Sequence, residues 1–387
     1  MMTLTEPCPI CSARASREVQ RQHLELAGLG RVDIGFGNCE ACGHIYQVRQ
    51  APDHILGRYY SAFSNYTCFD VEAARNAPPS PLTRRLLALA ETQGPKKGTA
   101  YEVGCATGRH LAHFAKAGWK VGGCDPSPKA CEQAREIYGI DVDCGMESDA
   151  LPKRSGLDMV VFSGVLEHLK DPRGALVRAH DALADDGLVL LEVPCATAPH
   201  LLPPGWFTFE HLQYFSEASL VRMLNEAGFA PLELRIALDV FIYPAIAVIA
   251  RKTKTRIDTD DRGLGVAQSR HFLEQVIARD DNLWRTSAKR LRHLDGPVFV
   301  WGAGVHTAQL FDRTPLLQQA TVKAIVDRDS QKHGLEQADR PIIAPEAFFA
   351  ESKGEPVVIS SFAAEAEIAA ALAKAGVAQD RIVRLYT

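Results

Sequence analysis

Four cysteines near the start of the chain stand in two pairs, each enclosing two other residues. Cys8 and Cys11 form the first C-x-x-C unit, and Cys39 and Cys42 form the second. Thiolates at this spacing can surround one Zn²⁺ tetrahedrally, and four of them leave no coordination position open for a substrate. The pattern predicts a structural zinc site, with a hairpin inserted in the 27 residues between the pairs. His44 is a substitute ligand, and four unrelated buried thiols are the alternative interpretation.

A glycine-containing segment, YEVGCATGRHL, follows a predicted strand and opens a predicted helix. Gly104 and Gly108 allow the backbone to turn sharply and approach a ligand, and the helix beyond them presents unpaired N–H groups. Asp125 ends the next predicted strand, where its carboxylate can accept hydrogen bonds from both hydroxyls of a ribose. Capping of the following helix is the alternative role. The G-x-G-x-x-G dinucleotide pattern is not met, and Glu102 suits a cationic ligand end, so the segment favours S-adenosylmethionine (SAM) over NAD.

Two further segments, DMVVFSGVLEHLKDP (residues 158–172) and GMESDALP (residues 145–152), extend this pattern. Together the segments resemble class I SAM-dependent methyltransferases in order and spacing. The resemblance implies an α/β, Rossmann-like domain, with adenosine contacts near residues 146–147 and methionine-end contacts near residues 102–104 and 163–164. For His168 a structural role in its loop is the alternative. The predicted cofactor-binding residues are Glu102, Gly104, Cys105, Gly108, Asp125, Pro126, Met146, Glu147, Ser163, Gly164 and His168.

Nearly the whole chain resembles a narrower family, the three-part C-methyltransferases of nucleotide-linked 4-keto deoxysugars. These proteins carry an N-terminal four-cysteine zinc module, a central SAM domain and a C-terminal nucleotide-fold domain. The segments LEVP (residues 191–194) and FEHLQYFS (residues 209–216) look like that family's motif after the central sheet, in which an adjacent Glu-His pair supplies a base. The resemblance implies that Glu210 and His211 are catalytic. Capping of the helix that begins near Ser216 is the alternative.

A Glu-His pair suits methylation at carbon, because this reaction needs a base. The proton on the carbon beside the ketone must be removed before that carbon can attack a methyl group. Neutral histidine is a suitable base near pH 7. The chain departs from the family at Thr208, where a tyrosine is usual, and residues 59–66 (YYSAFSNY) only loosely echo its aromatic-serine motif. Residues 240–250 also lack its His-Gly-Gly-Ser stretch. The sequence therefore predicts methylation of a nucleotide-linked sugar or a related small molecule. The acceptor atom is left open: it is carbon in the favoured interpretation, and oxygen or nitrogen of another natural product in the alternative.

The elements that must position these residues are suggested by periodicity. Between residues 99 and 250 short apolar runs alternate with amphipathic stretches, which predicts a parallel sheet covered by helices, with an antiparallel hairpin at its edge. Residues 251–263 are charged and lack apolar periodicity, so they form the predicted linker. We predict a zinc-binding module over residues 1–60, a methyltransferase domain over 61–255 and a Rossmann-like α/β domain over 256–387.

The last predicted domain contains two glycines, Gly302 and Gly304, after an apolar run, and Asp327 after another. This pattern is typical of a dinucleotide fold, but the third glycine of the fingerprint is absent. The resemblance implies a domain that helps to hold the substrate. An NAD-dependent enzyme acting through this domain is the less favoured alternative.

The amino-acid composition indicates which classes of binding partner are not expected. Lysine and arginine number 43 against 47 acidic residues, a net charge of −4, so no basic excess favours nucleic acid, and a zinc-ribbon nucleic-acid binder is disfavoured. No apolar stretch is long enough for a bilayer span, and the N-terminus lacks a secretory pattern. We expect a cytoplasmic protein with no membrane partner, whose ten cysteines are metal ligands or buried thiols and not disulfides.

Overall fold

The computed structural model describes residues 6–63, 71–93, 98–238, 243–254 and 264–386. Within these ranges the chain forms sheets of four, seven and six strands, and no helix there is both long and apolar enough to cross a membrane. Parts of three sequence predictions lie outside the described residues: the end of the aromatic-serine segment (64–66), the start of the last central strand (240–242) and most of the linker (255–263).

The first sheet is antiparallel and carries the cysteine pairs at its end. Its first two strands form a hairpin between the C-x-x-C units, which confirms the inserted hairpin predicted from the spacing. Its last strand comes from far along the chain, since Ile45 pairs with Tyr214 and Tyr46 with Gln213. In spatial order the strands are β1 (Ser16–Leu26), β2 (Gly30–Cys39), β3 (Ile45–Arg49) and β9 (Gln213–Tyr214). The helix α1 (Asp53–Arg58) and one π-helical turn (Tyr59–Phe63) follow β3.

The central sheet has five parallel strands and the predicted antiparallel hairpin at one edge. The apolar run of residues 188–191 in β8 is fully buried, as expected for a strand covered on both faces. The spatial order is β10-β11-β8-β7-β4-β5-β6. The strands are β4 (Thr99–Val103), β5 (Lys120–Asp125), β6 (Asp143–Cys144), β7 (Leu157–Ser163), β8 (Leu183–Pro194), β10 (Phe229–Ala237) and β11 (Ala245–Lys252).

Serine side chains begin two of the helices that cover this sheet. Ser127 accepts a hydrogen bond from the amide of Ala130 at the start of α5, and Ser216 forms a capping box with Ser219 at the start of α8. Asp125 and the Glu-His pair are therefore not the side chains that cap these helices. The helices are α2 (Val71–Asn76), α3 (Pro81–Gln93), α4 (Arg109–Lys116), α5 (Pro128–Tyr138), α6 (Glu147–Ala150), α7 (Pro172–Ala182) and α8 (Glu217–Glu226).

A long helix, α9 (Leu264–Leu291), leads into the third sheet, whose spatial order is β14-β15-β13-β12-β16-β17. Only the short edge strand β14 is antiparallel to its neighbour. The strands are β12 (Pro297–Trp301), β13 (Thr321–Val326), β14 (Glu336–Gln337), β15 (Arg340–Ile343), β16 (Val357–Ile359) and β17 (Ile382–Arg384). The helices are α10 (Val305–Arg313), α11 (Leu316–Gln319), α12 (Pro345–Glu351) and α13 (Glu365–Lys374).

Candidate active site and metal centre

The four predicted zinc ligands lie together, with all four sulfur atoms within 4.8 Å of one another. Sγ of Cys8 is 3.6 Å from Sγ of Cys42, and Sγ of Cys11 is 3.6 Å from Sγ of Cys39. Zinc–sulfur bonds of about 2.3 Å in a tetrahedron place sulfurs about 3.8 Å apart, so the donor set fits Zn²⁺. His44 is not in this cluster, because it is fully buried and its Nε2 lies 3.0 Å from Oε1 of Gln213.

The glycine segment forms the loop between β4 and α4 at the carboxyl edge of the central sheet. Gly104 and Gly108 have φ angles of +65° and +76°, which favour glycine. A Cβ at position 104 would lie 2.5 Å from Cγ2 of Val165. Besides the predicted approach of a ligand, the contact with Val165 and the positive φ also require glycine at position 104.

Two buried polar side chains border this loop. Oε1 of Glu102 lies 2.8 Å from Nδ1 of His110, whereas its Oε2 is buried without a hydrogen-bond partner among the described residues. The hydroxyl of Ser163, at the end of the neighbouring β7, is buried in the same unpaired state within the described ranges. Burial without a partner is costly for polar atoms, so these two atoms suit a polar ligand such as the methionine end of SAM. Gly164 follows Ser163 with a φ of +65°.

Asp125 ends β5 beside the glycine loop and is buried. Its Oδ2 accepts from the amide of Ala106 at 2.9 Å, and its Oδ1 accepts from the amide of Ser127 at 2.9 Å. A carboxylate offers about four lone-pair sites, so acceptor capacity remains for ribose hydroxyls. Burial raises the pKa of Asp125, although these two amides oppose the shift.

Four other residues predicted to bind the cofactor differ in their burial and in their bonding partners. Met146 precedes α6 with 46% of its surface exposed, which suits an apolar contact with a bound base. Glu147 is buried and bonded to Arg178, so its carboxylate already has a cation as partner. Cys105 is buried, and burial raises the pKa of its thiol, which keeps it neutral. Pro126 is half-buried between Asp125 and the cap of α5.

The Glu-His pair lies in the long loop after β8 and meets a second Glu-His pair in the loop after β7. The imidazole rings of His168 and His211 are 4.8 Å apart. One ligand atom from each of Glu167, His168 and His211 lies within 4.8 Å of the others, close enough for the three to contact one bound cation or one polar ligand. The structure thus groups His168 with the predicted catalytic residues.

Tyr60 completes this cluster, and only its place in the loosely matching YYSAFSNY segment signalled it in the sequence. Its hydroxyl is 2.9 Å from Nδ1 of His168 and donates to the carbonyl of Glu210 at 3.2 Å. Nδ1 of His168 also lies 2.9 Å from that carbonyl. A carbonyl can only accept, so the contact with Glu210 is a hydrogen bond in the tautomer with the proton on Nδ1; in that tautomer Nε2, 3.9 Å from Oε1 of Glu167, is the basic nitrogen.

Burial makes this cluster electrostatically unusual. It raises the pKa of Glu167 to about 8, helped by the nearby Glu192, and that of Glu210 to about 7. It lowers the pKa of His168 to about 4. Burial, reinforced by His168, also holds the pKa of His211 well below its usual range. Both histidines are therefore neutral near pH 7, and perturbed groups of this kind are concentrated at functional sites.

The C-terminal glycines form a loop of the same design. Asp327, which follows β13, accepts from the amides of Ala303 at 2.7 Å and Asp329 at 2.9 Å, as Asp125 accepts from two amides in the central domain. Nζ of Lys332 lies 3.4 Å from the same carboxylate. The structure therefore brings the glycine segment of residues 302–304 and Asp327 together, with a lysine beside the carboxylate.

Residues 73–234 match the family model described as a methyltransferase domain. Over these residues, which are fewer than half of the chain, the central domain is similar to a methyltransferase domain. Its seven-stranded sheet, with the antiparallel β11 inserted beside β8, has the class I fold predicted from the sequence.

Two curated relatives cover parts of the chain. The C-methyltransferase NovU of Streptomyces niveus is 29% identical over 194 residues, which are 45% of this chain and 44% of that protein. A tRNA U34 carboxymethyltransferase of Cellvibrio japonicus is 32% identical over 142 residues, 33% of this chain and 44% of that protein. The chain thus spans less than half the length of these relatives.

Solved structures of methyltransferases also match part of the chain. One is the 1,6-didemethyltoxoflavin-N1-methyltransferase of Burkholderia thailandensis with bound S-adenosylhomocysteine, at 21% identity and a TM-score of 0.36, covering 47% of this chain and 80% of that one. Another is the magnesium protoporphyrin IX methyltransferase of Synechocystis, at 18% identity and a TM-score of 0.39, covering 52% of this chain and all of that one.

Proposed function

We propose that the protein is a SAM-dependent methyltransferase that methylates a small molecule at carbon, with a nucleotide-linked 4-keto sugar as the substrate class. The cluster of Glu167, His168 and His211 carries this proposal, because it combines two imidazoles that are neutral near pH 7 with a buried carboxyl at the carboxyl edge of the sheet. In parallel α/β folds this edge binds ligands. The partial similarity to a C-methyltransferase and the resemblance of the Glu-His segment support carbon as the acceptor.

The proposed reaction begins with proton removal from the carbon beside the ketone. His211 takes this proton, since it is neutral near pH 7 and, among the described residues, no side chain is hydrogen-bonded to its ring. SAM, when bound, supplies an activated methyl group for the resulting carbanion. Glu102 and Ser163 would hold its methionine end and Asp125 its ribose, which fixes the methyl group relative to the acceptor.

The experiment that tests this function follows exchange of the acceptor's acidic proton in D₂O. With a nucleotide-linked 4-keto sugar and no SAM, the protein should catalyse this exchange, and SAM should convert the exchanging carbon into a methylated one. Methyl transfer to oxygen or nitrogen without any proton exchange would assign the other acceptor class. A thermal-shift series with S-adenosylhomocysteine and NAD identifies the cofactor, because a ligand that binds only the folded state raises its stability.

The pH dependence of exchange distinguishes the candidate bases. A histidine base works when unprotonated, and the pKa of His211 is lowered, so activity should persist as the pH falls through 6.5 and decline only below it. The pKa of Glu210 is raised to about 7. The pKa of Glu167 is raised to about 8. An acid limb between pH 7 and 8 in the rate of exchange would therefore assign the base to one of these two carboxyls and contradict His211.

We also propose that the four-cysteine cluster holds one structural zinc ion. Metal-replete protein should contain close to one zinc per chain, and Cys39→Ala should lose it and destabilise the N-terminal sheet, because binding and folding of such modules are coupled. Cys144→Ala is the matched control, since Cys144 is exposed and outside the cluster. Elemental analysis that finds full zinc in Cys39→Ala would disprove the site.

A further inference from the structure

The loop that carries the Glu-His pair is held by a side chain of the N-terminal sheet. Nε2 of Gln47, on β3, donates to the carbonyl oxygens of Thr208 at 3.0 Å, Phe209 at 3.0 Å and His211 at 2.9 Å. Gln47 is fully buried, so water does not compete for these bonds. Its amide has two N–H groups, and three carbonyls share them.

The backbone of Gln47 continues this attachment. Its amide donates to the carbonyl of Leu212 at 2.9 Å, and the amide of Leu212 donates to the carbonyl of Glu167 at 2.7 Å. Residues 208–212 are therefore fixed between β3 on one side and the loop that carries Glu167 and His168 on the other. The position of the His211 ring against His168 depends on both attachments.

Other side chains hold the earlier part of the same loop. Gln22 of β1 donates to the carbonyl of Phe207 at 3.3 Å, and Gln309 of α10 donates to the same carbonyl at 2.8 Å. Arg279 of α9 donates to the carbonyls of Pro199, Leu202 and Pro203. Among the described residues, these side chains reach residues 199–207, whereas the Gln47 amide reaches the carbonyls of Thr208, Phe209 and His211. The hydroxyl of Tyr60 donates to the carbonyl of Glu210 and that of Tyr214 to the carbonyl of Thr208, so within the described ranges Gln47 is the side chain that binds the backbone of His211 itself.

We propose that Gln47 is a positioning residue for the reaction, which holds the backbone of residues 208–211 so that His211 faces His168 and the acceptor. This inference rests on the proposed base role of His211. Gln47 contacts neither the glycine loop nor the cysteine sulfurs through any hydrogen bond in the described ranges, so its loss should spare both SAM and zinc binding.

The test replaces Gln47 by methionine, which has a similar length but no donor. Gln47→Met should retain zinc and bind S-adenosylhomocysteine as the wild type does, while exchange of the acceptor proton falls by about 10²-fold, as expected for misplacement of a catalytic group by about 1 Å. Gln319→Met is the matched control. The side chain of Gln319 also donates to a main-chain carbonyl, that of Leu291 at 2.6 Å, but it lies in the C-terminal domain. It should exchange at the wild-type rate.

A second measurement needs no substrate. In protein with isotope-labelled histidine, the His211 imidazole should titrate below 6.5 in the wild type, where it is buried, His168 and Tyr214 pack against its ring and Glu167 lies within 4.8 Å. In Gln47→Met the released loop admits water, so its pKa should rise toward 6.5. This signal is assigned by its loss in His211→Asn.

The outcomes separate the two proposals. If Gln47→Met keeps both the wild-type exchange rate and the wild-type His211 titration, the positioning role is wrong. If the wild type exchanges no proton on any keto sugar, the proposed function fails, and the His211 titration alone decides for or against Gln47. Should Gln47→Met lose zinc or cofactor binding, Gln47→Asn, which keeps the amide but shortens its reach by one methylene, provides the same comparison.

Discussion

His211→Asn should reduce methyl transfer by about 10²–10⁴-fold while leaving the affinity for S-adenosylhomocysteine unchanged. Asparagine keeps a hydrogen-bonding side chain but removes basicity, and loss of a general base has effects of this size. The structure strengthens the case, because Ser216 and Ser219 cap α8 themselves and the pair is not needed for that purpose. Exchange of the acceptor proton in D₂O should fall in parallel with methyl transfer.

His293→Asn is the matched control for this substitution, since His293 is exposed after α9 and should have no effect. Near-wild-type turnover of His211→Asn would exclude the base role. It would also remove the main argument for carbon methylation, and His168, whose Nε2 is the basic nitrogen, would then be the next candidate.

Asp125→Ala should weaken binding of S-adenosylhomocysteine by at least about tenfold for each ribose hydroxyl that the carboxylate holds. Hydrogen bonds to a charged group contribute about 1.5–3 kcal/mol each, and about 1.4 kcal/mol corresponds to tenfold in affinity. The loss also releases the amides of Ala106 and Ser127, which loosens the glycine loop. Calorimetric titration with S-adenosylhomocysteine measures the combined effect, and the zinc content should be unchanged.

The C-terminal domain offers an unusually close control. Asp327 accepts from the amides of Ala303 and Asp329, so Asp327→Ala loses the same two internal hydrogen bonds on a similar loop. It should bind S-adenosylhomocysteine like the wild type. Equal affinity in wild type and Asp125→Ala, or an equal loss in both variants, would place the cofactor site elsewhere.

Local patterns predicted six of the seven central strands and three of the six C-terminal strands, but not the short strands β6, β14, β15 and β17. The alternation of apolar runs and amphipathic stretches predicted the parallel strands and the edge hairpin, and the last central helix was predicted over residues 217–227 against Glu217–Glu226 in the structure. These features depend on residues close in sequence, because the spacing of apolar residues along a strand or helix indicates which of its faces is buried. The glycine loop and its aspartate were predictable for the same reason.

The contacts that complete the site were not predictable, because they join residues far apart in the chain. Gln47 lies 161 to 164 residues from the carbonyls it binds, and a polar residue within a short strand carries no sign of its partner. Tyr60 is 108 residues from His168. The raised pKa values of Glu167 and Glu210 arise from burial by these distant segments. The predicted domain boundaries and the identity of the metal stay predictions.

The pairing of β3 with β9 has a consequence for protein engineering. Since Gln213 and Tyr214 supply the last strand of the N-terminal sheet, that sheet is assembled from two separate stretches of the gene. A chimera that exchanges residues 1–60 with a homologue would separate Gln47 from the loop whose carbonyls it binds in this chain, even if both parents share the same cysteine spacing. The transplantable cassette is instead residues 1–60 together with residues 199–215, and recombination points should be chosen outside both stretches.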